Sequence, residues 1–128
     1  MIKTITFLKR RADMTREEFV AAYESGHAKL GEQTLTGNAT RYVRRYLIPI
    51  DHPLNEEGKD GPAAIFDAVM EMWFKDREQF NTTMDLIGSP ELAKEIIASG
   101  HDIFDRSVHY VYEIDERESD ITPASEAA

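Results

Sequence analysis

The chain of 128 residues has no cysteine, no long apolar run and no excess of basic residues, and each absence excludes a class of function. Without cysteine it has no disulfide, no thiolate nucleophile and no thiolate metal site. No apolar run approaches the roughly 18 residues that a membrane-spanning helix needs. The formal net charge of −9, from 24 acidic and 15 basic residues, argues against a nucleic-acid surface. We therefore expect a cytoplasmic protein with neither nucleic-acid nor membrane partners.

Several motifs of catalysis and ligand binding are also missing. No glycine-rich phosphate loop is present, because Gly58 and Gly61 follow no strand that opens directly into a helix. No Gly-x-Ser-x-Gly sequence indicates a serine hydrolase. The four histidines include no His-x-His or His-x-x-x-His pair, so we expect no metal site. The sequence thus predicts a protein that works without a cofactor.

The patterns that are present predict one domain, residues 1–115, followed by an acidic tail, residues 116–128. Strands are expected at residues 2–9, 41–48, 65–74 and 107–114, and helical segments at 16–30, 76–87 and 90–99. This βαββαβ order predicts an α+β ferredoxin-like fold, in which a four-stranded antiparallel sheet carries helices on one face. The other face keeps apolar side chains, so we expect a second copy to cover it in a homodimeric α+β barrel.

The third predicted strand is apolar at almost every position, and its few charged residues stand out. Alternation places Asp67, Glu71 and Trp73 on one face, and Met70 and Phe74 on the other. We expect the face with the charged residues to lie against the helices and the opposite face to contact the dimer partner. A slip of one residue would exchange the two faces.

His27 is the strongest candidate for chemistry because it lies on the apolar face of the first predicted helix. It follows Phe19 by eight residues and Tyr23 by four, near the end of that helix. An imidazole in this position has lost water and needs a hydrogen-bond partner. One alternative is a core histidine satisfied by a carbonyl group. The other is a general acid–base that Asp67 or Glu71 orients, unless those carboxylates pair with arginines of the neighbouring strand.

Other polar positions also have both a structural and a functional interpretation. His101 either stabilises the end of the last helix or contacts substrate, and Asp105 either caps a turn or reaches a pocket group. The arginines of the second strand are expected in ion pairs, with binding of an anionic substrate as the alternative. Residues 51–62 are rich in proline, glycine and acidic residues, which predicts a loop of the length typical of lids and binding loops.

Most of the chain, roughly residues 2–114, resembles the EthD-domain family. The resemblance rests on the segments at residues 8–11, 14–19, 23–27, 45–46, 67–74, 89–91 and 102–105. It implies a small dimeric α+β barrel with a pocket between the sheet and the helices. Related barrels include cofactor-independent polyketide cyclases, anthrone monooxygenases, muconolactone isomerases and some lyases, and some bind haem.

Together these observations give the hypothesis of a cofactor-independent lyase, cyclase or isomerase. Its substrate would be a small hydrophobic carbonyl or aromatic compound, polyketide-like or catabolic. His27 would be the general acid–base, with Asp67 or Glu71 as its partner. Substrate contacts are expected from Tyr23, Tyr42, Tyr46, Trp73, Phe80, Met84, His101 and Asp105. The alternatives are a cofactorless anthrone-type monooxygenase, a haem-binding protein, and a non-catalytic small-molecule carrier or accessory protein.

Overall fold

The structure, a computed structural model, describes residues 1–50, 53–54 and 65–125 of the chain. The strands are β1 (Ile2–Leu8), β2 (Arg41–Tyr46), β3 (Ala68–Phe74) and β4 (Tyr110–Glu113). The helices are α1 (Arg16–Ala22), α2 (Ala28–Leu35), α3 (Arg77–Ile87) and α4 (Pro90–His101), with a π-helical segment (Tyr23–His27) between α1 and α2 and a 3₁₀ turn (Arg106–Val108) before β4. Most of the predicted loop at residues 51–62 lies outside the described residues. Within the described ranges, no helix is long and apolar enough to cross a membrane.

The strands of the described residues form one four-stranded antiparallel sheet in the order β2-β3-β1-β4, and the predicted α+β ferredoxin-like fold is confirmed. The central strand β1 pairs with β3 along its whole length and with β4 over Thr4 to Phe7. Strand β4 begins three residues later than predicted. Asp105 is the reason, because its carboxylate accepts a hydrogen bond from the Ser107 backbone N–H at 3.0 Å and caps the 3₁₀ turn.

The first helical unit begins where the sequence predicts and continues further. Thr15 and Glu18 form a reciprocal capping box, with hydrogen bonds of 3.1 Å and 3.0 Å. The helix then runs through the π-helical segment and α2 to Leu35, beyond the predicted end at residue 30. The chain turns away at Gly37, whose φ of +80° lies in the left-handed region that glycine adopts without strain.

The prediction of which face of β3 meets the helices is wrong. Phe74 is buried and packs edge-on against Phe80 of α3, with ring centroids 5.4 Å apart. Met70 and Met72 point to the same helical side, and Glu71 therefore lies on the outer face. A strand with apolar residues on both faces shows no alternation of apolar and polar positions. The sequence pattern alone therefore does not show which face of β3 meets the helices.

The core lies between the inner face of the sheet and the helical layer. It consists of Leu8, Phe19, Tyr23, Ala28, Ala68, Ile103 and Phe104. The Phe104 ring meets the rings of Phe19 and Tyr23 at centroid distances of 5.9 Å and 5.3 Å, both near edge-to-face. Truncating a buried phenylalanine to alanine costs about 3–5 kcal/mol, so this aromatic cluster fixes the helix against the segment that follows α4.

Candidate active site

A cavity of about 180 Å³ lies between the inner face of the sheet and the helices. Its lining is mostly apolar and comes from both layers: Leu8, Met70, Met72 and Val111 from the strands, and Leu30, Leu35, Ile87, Ile96 and Ile97 from the helices. An apolar cavity of about 150 Å³ in another protein holds a benzene molecule. The cavity therefore has room for one small ring-sized compound.

A few polar side chains converge on the same cavity. Tyr23 and His27 come from the π-helical segment, Tyr42 from β2, and Arg106 and His109 from the segment that leads into β4. Two atoms of this group are buried: His109 Nδ1, which has no hydrogen-bond partner among the described residues, and the Tyr23 hydroxyl oxygen, which interacts with Tyr42. A buried polar atom left unpaired costs free energy, so a bound molecule that pairs with His109 Nδ1 is favoured.

His27 is held by contacts from several directions. Its Nδ1 lies 3.0 Å from the Ser99 hydroxyl oxygen on α4. Its ring meets Tyr23 and Phe104 edge-on, at centroid distances of 5.6 Å and 5.2 Å. Gly100 leaves room for this packing, because a Cβ there would lie 2.9 Å from Phe104 Cδ2 and 3.6 Å from His27 Cε1. Nε2 makes no hydrogen bond within the described part of the chain, so it is the nitrogen left for a ligand.

The π-helical segment Tyr23–His27 interrupts a helix that the sequence predicts as continuous. Such segments change which side chains share a helix face, and they are frequent at functional sites. Here the segment begins with Tyr23 and ends with His27, and both side chains line the cavity. Gly26, inside the segment, has open space where a Cβ would lie. The segment therefore positions two of the polar groups of the site.

Burial controls the charge of the site. It lowers the pKa of His27 to about 4, with smaller contributions in the same direction from His109 and Arg106. Burial and then Arg106 also lower the pKa of His109. Both imidazoles are therefore neutral near pH 7, and a neutral imidazole offers one donor and one acceptor nitrogen. When His27 carries its proton on Nδ1 and donates it to Ser99, Nε2 is free to accept a proton.

Asp67, a predicted partner of His27, lies elsewhere. Its carboxylate accepts hydrogen bonds from the Arg10 backbone N–H at 2.9 Å and from Arg10 Nε at 3.2 Å. Asp67 immediately precedes β3, and it ties the end of β1 to β3. The expected contact with His27 is absent, and the structural alternative, an ion pair with an arginine, is observed.

Glu71 also fails to reach His27, because it projects from the outer face of the sheet. It forms an ion pair with Arg45 of β2 and accepts a hydrogen bond from Trp73 Nε1 at 3.1 Å. Trp73, predicted as a wall of the pocket, lies on this outer face as well, with the Lys3 ammonium 4.0 Å from its ring centroid. The prediction that a carboxylate of β3 orients His27 is therefore wrong for both candidates.

The predicted substrate-contacting residues divide into two groups. Tyr23 and Tyr42 line the cavity. Tyr46 does not, because its hydroxyl donates a 2.5 Å hydrogen bond to Glu24, which Arg44 also binds through two hydrogen bonds of 2.7 Å. The two arginine contacts and Tyr46 hold the pKa of Glu24 down to about 2. Phe80 and Met84 on α3 do not line the cavity either.

His101 and Asp105 are surface residues that border a shallow depression, also lined by Arg106, rather than the cavity. His101 is exposed at the last position of α4, where a basic side chain favours the helix dipole. Asp105 accepts hydrogen bonds from the Ser107 N–H and hydroxyl, which lower the pKa of its carboxyl group. Both residues therefore occupy the positions that the structural interpretation describes, outside the lining of the cavity.

The site contains residues that the sequence analysis did not select. Ser99 follows Ile96 by three residues, so the helical period alone places it on the apolar stripe of α4. His109 alternates with Val111 along the last strand, but the sequence did not show which face points inward. For Arg106 no sequence signal existed, because its role depends on the turn that Asp105 caps. In the described residues, no group of three or more His, Asp or Glu side chains could hold a metal ion.

The β2-β3-β1-β4 sheet with helices on one face defines an α+β protein of the ferredoxin-like class. Within that class the sequence profile of the EthD domain matches residues 11–107, and the chain belongs to the EthD domain family. No match was found among curated proteins.

Solved structures show the same fold at low sequence identity. An ethyl tert-butyl ether D (EthD) family protein from Bacillus halodurans is 14% identical, with a TM-score of 0.60 over 91% of this chain and 100% of its own. A dimeric ferredoxin-like protein of unknown function from Bacteroides fragilis is 10% identical, with a TM-score of 0.56 over 88% of this chain and 93% of its own. A dimeric ferredoxin-like protein of unknown function from Thermobifida fusca is 12% identical, with a TM-score of 0.52 over 88% of each chain.

Proposed function

We propose that the protein is a cofactor-independent enzyme that transfers a proton on a small hydrophobic carbonyl or aromatic compound. The reaction is of the lyase, cyclase or isomerase type. One observation carries the proposal: a neutral imidazole, His27, is oriented by Ser99 in the wall of an apolar cavity of about 180 Å³. Apolar cavities with a few convergent polar groups and a perturbed pKa are typical of active sites.

In this proposal His27 is the general acid–base. With Nδ1–H donated to Ser99, Nε2 takes a proton from the carbon next to the carbonyl group, and the C–H electron pair becomes an enolate. The proton on Nε2 then returns to another atom of the same molecule in an isomerase, or to the leaving group in a lyase. In a cyclase the enolate carbon attacks a second carbonyl carbon of the same molecule, the π electrons of that carbonyl move to its oxygen, and this oxygen takes the proton from Nε2.

The developing oxyanion needs hydrogen-bond donors, and two tyrosines supply them. Burial raises the pKa of both Tyr23 and Tyr42, so both phenols stay protonated at neutral pH. The Tyr23 hydroxyl is buried next to that of Tyr42, and their interaction raises the pKa of Tyr23 further. Donors held in place in a site with little water stabilise negative charge that appears during a reaction. Tyr23 and Tyr42 are therefore the proposed oxyanion donors.

Hydrogen–deuterium exchange tests the proton transfer without knowledge of the complete reaction. The protein is incubated in D₂O with a panel of small hydrophobic ketones, 1,3-diketones and hydroxylated aromatics, and exchange is followed by NMR. We expect the wild type to accelerate exchange with a subset of the panel, and His27→Gln to slow it by about 100-fold or more. His101→Gln removes an exposed histidine outside the cavity and is the matched control, with unchanged exchange.

Full exchange by His27→Gln would contradict the assignment of the general acid–base. Binding without exchange across the whole panel would instead favour the non-catalytic carrier. An oxygen electrode separates the monooxygenase alternative, because that reaction consumes oxygen in step with substrate.

We also propose that the protein forms a homodimer through the outer face of its sheet. An aromatic cluster covers this face: Phe7 lies 5.2 Å from Phe66 and 5.9 Å from Tyr112 between ring centroids. Tyr110 and Tyr112 are 47% and 53% exposed. Exposed apolar patches of this kind mark interaction sites, and two of the similar solved structures are described as dimeric. The expected mass in solution is twice the 14.6 kDa of the chain.

A further inference from the structure

We propose that the cavity binds a small hydrophobic anion, a carboxylate with one ring. Arg106 makes the cavity prefer this anion over a neutral compound of the same shape. The inference rests on the proposed function in that it names the substrate class of the same cavity. It concerns binding alone, so it can be tested without turnover.

The charges in the lining are the first support. Of the lining residues that the structure describes, Arg106 alone carries a permanent charge, and none is a carboxylate. Arg106 is exposed, and no acidic side chain in the described ranges lies within ion-pair distance of it, as is also true of Arg16 and Arg41. An arginine at a cavity without its own carboxylate is ready to receive one from a ligand.

The buried polar atoms are the second support. His109 Nδ1 lines the same cavity as Arg106 and has no hydrogen-bond partner in the described part of the chain, and the buried Tyr23 hydroxyl lies beside that of Tyr42 in the same lining. A neutral His109 that carries its proton on Nδ1 can donate to a carboxylate oxygen, as can the Tyr23 hydroxyl. The guanidinium group of Arg106 matches the two oxygens of a carboxylate. The remaining lining is apolar and has room for one ring.

The position of Arg106 also fits this role. It lines both the cavity and the shallow depression on the surface beside His101, so it lies between the two. The influence of Arg106 extends into the cavity, because it contributes to the lowered pKa of both His27 and His109.

The net charge of the protein disfavours the binding of anions. The chain carries a formal net charge of −9, so the molecule as a whole repels anions. A preference for an anion over a neutral compound of the same shape must therefore come from a local group. Arg106 is the permanent cation in the described lining of the cavity.

Benzoate and benzamide provide the test, because the two have nearly the same shape and only benzoate is charged at neutral pH. Binding of each to the full chain is measured by isothermal titration calorimetry. We expect the wild type to prefer benzoate by about tenfold or more, and Arg106→Gln to lose that preference because it weakens binding of benzoate more than binding of benzamide. Added salt is expected to weaken binding of benzoate and not of benzamide.

Arg117→Gln is the matched control, because it removes the same charge from an exposed arginine outside the cavity. It is expected to keep the preference for benzoate. A wild type that binds the two compounds equally, or binds neither at millimolar concentration, would overturn the inference, as would an Arg106→Gln variant that still prefers benzoate.

The results separate this inference from the proposed function. His27→Gln is expected to lose proton exchange, whereas Arg106→Gln is expected to lose the preference for benzoate. A preference for benzoate that depends on Arg106, without any catalysed exchange, would support the binding inference and contradict the proposed enzymatic function. Catalysed exchange without any preference for benzoate would support the enzymatic function and contradict the binding inference.

Discussion

At the scale of the residue, protonation of His27 is linked to the stability of the fold. Its pKa is about 4 in the folded protein, against an ordinary value of 6.5. The unfolded chain therefore binds a proton at this residue between these two pH values, while the folded protein does not. Stability from this source is complete above pH 6.5 and is lost as the pH falls towards 4. The loss between about pH 7.5 and pH 5 is about 2 kcal/mol.

His27→Gln removes this linkage. We expect the variant to lose about 2 kcal/mol less stability than the wild type when the pH falls from about 7.5 to 5. Urea unfolding at the two pH values measures the change in the free energy of unfolding for each protein. The variant also loses the hydrogen bond to Ser99, but this loss is the same at both pH values and does not affect its change between them. Equal losses in the two proteins would show that His27 is not the buried neutral group described above.

The sequence was sufficient to select His27 but not to identify the residue that contacts it. The helical spacing of Phe19, Tyr23 and His27 was sufficient to select His27, because a helix face follows from the chain alone. The choice of Asp67 and Glu71 depended on the facing of a strand that is apolar on both sides. Ser99, the actual neighbour of His27, lies 72 residues away in the chain, and only the packing of α4 brings the two together.

At the scale of the element, two helical glycines differ in what surrounds them. Gly26 in the π-helical segment has open space at its Cβ position, whereas a Cβ at Gly100 in α4 would lie 2.9 Å from the buried Phe104 ring. We expect Gly26→Ala to stabilise the protein by about 0.5–1 kcal/mol and Gly100→Ala to destabilise it by about 1–3 kcal/mol.

Urea unfolding of the two variants measures this contrast, since the same methyl group is added in each. Gly100→Ala is also expected to lower catalysed proton exchange, because Phe104 packs against His27. Stabilisation by both substitutions would mean that Phe104 is free to move aside, against its buried position in the core.

The starts of α1, α3 and α4 could be predicted, and the π-helical segment and the start of α2 could not. Thr15 with Glu18, Asp76 with Gln79, and Pro90 at a first turn are local signals, and the helices begin where they predict. A π-helical turn has no such local signature. It forms where packing holds side chains in place, here Tyr23 and His27 against the Phe104 ring.

At the scale of the whole molecule, the order of strands and helices was sufficient to predict the fold. Tyr112→Glu tests the homodimer that we propose across the outer face of the sheet. A charge placed in a desolvated interface costs several kcal/mol, so we expect this variant to sediment as a monomer of 14.6 kDa while the wild type sediments as a dimer. Thr82→Glu, on the exposed side of α3, is the control and is expected to leave the dimer intact. A dimeric Tyr112→Glu variant would place the interface on another surface.

The position of Phe104 limits which substitutions near the cavity the fold can tolerate. Its ring touches Phe19 and Tyr23 in the core and His27 and His109 at the cavity, so one side chain serves both stability and the site. Phe104 does not itself line the cavity, so substitutions there alter the site only through these two histidines, and they also weaken the fold. Met70 and Met72 line the cavity with flexible, unbranched side chains that tolerate exchange for other apolar residues. A change in the size of the bound ligand, natural or engineered, therefore costs the least stability when it is made at Met70 or Met72.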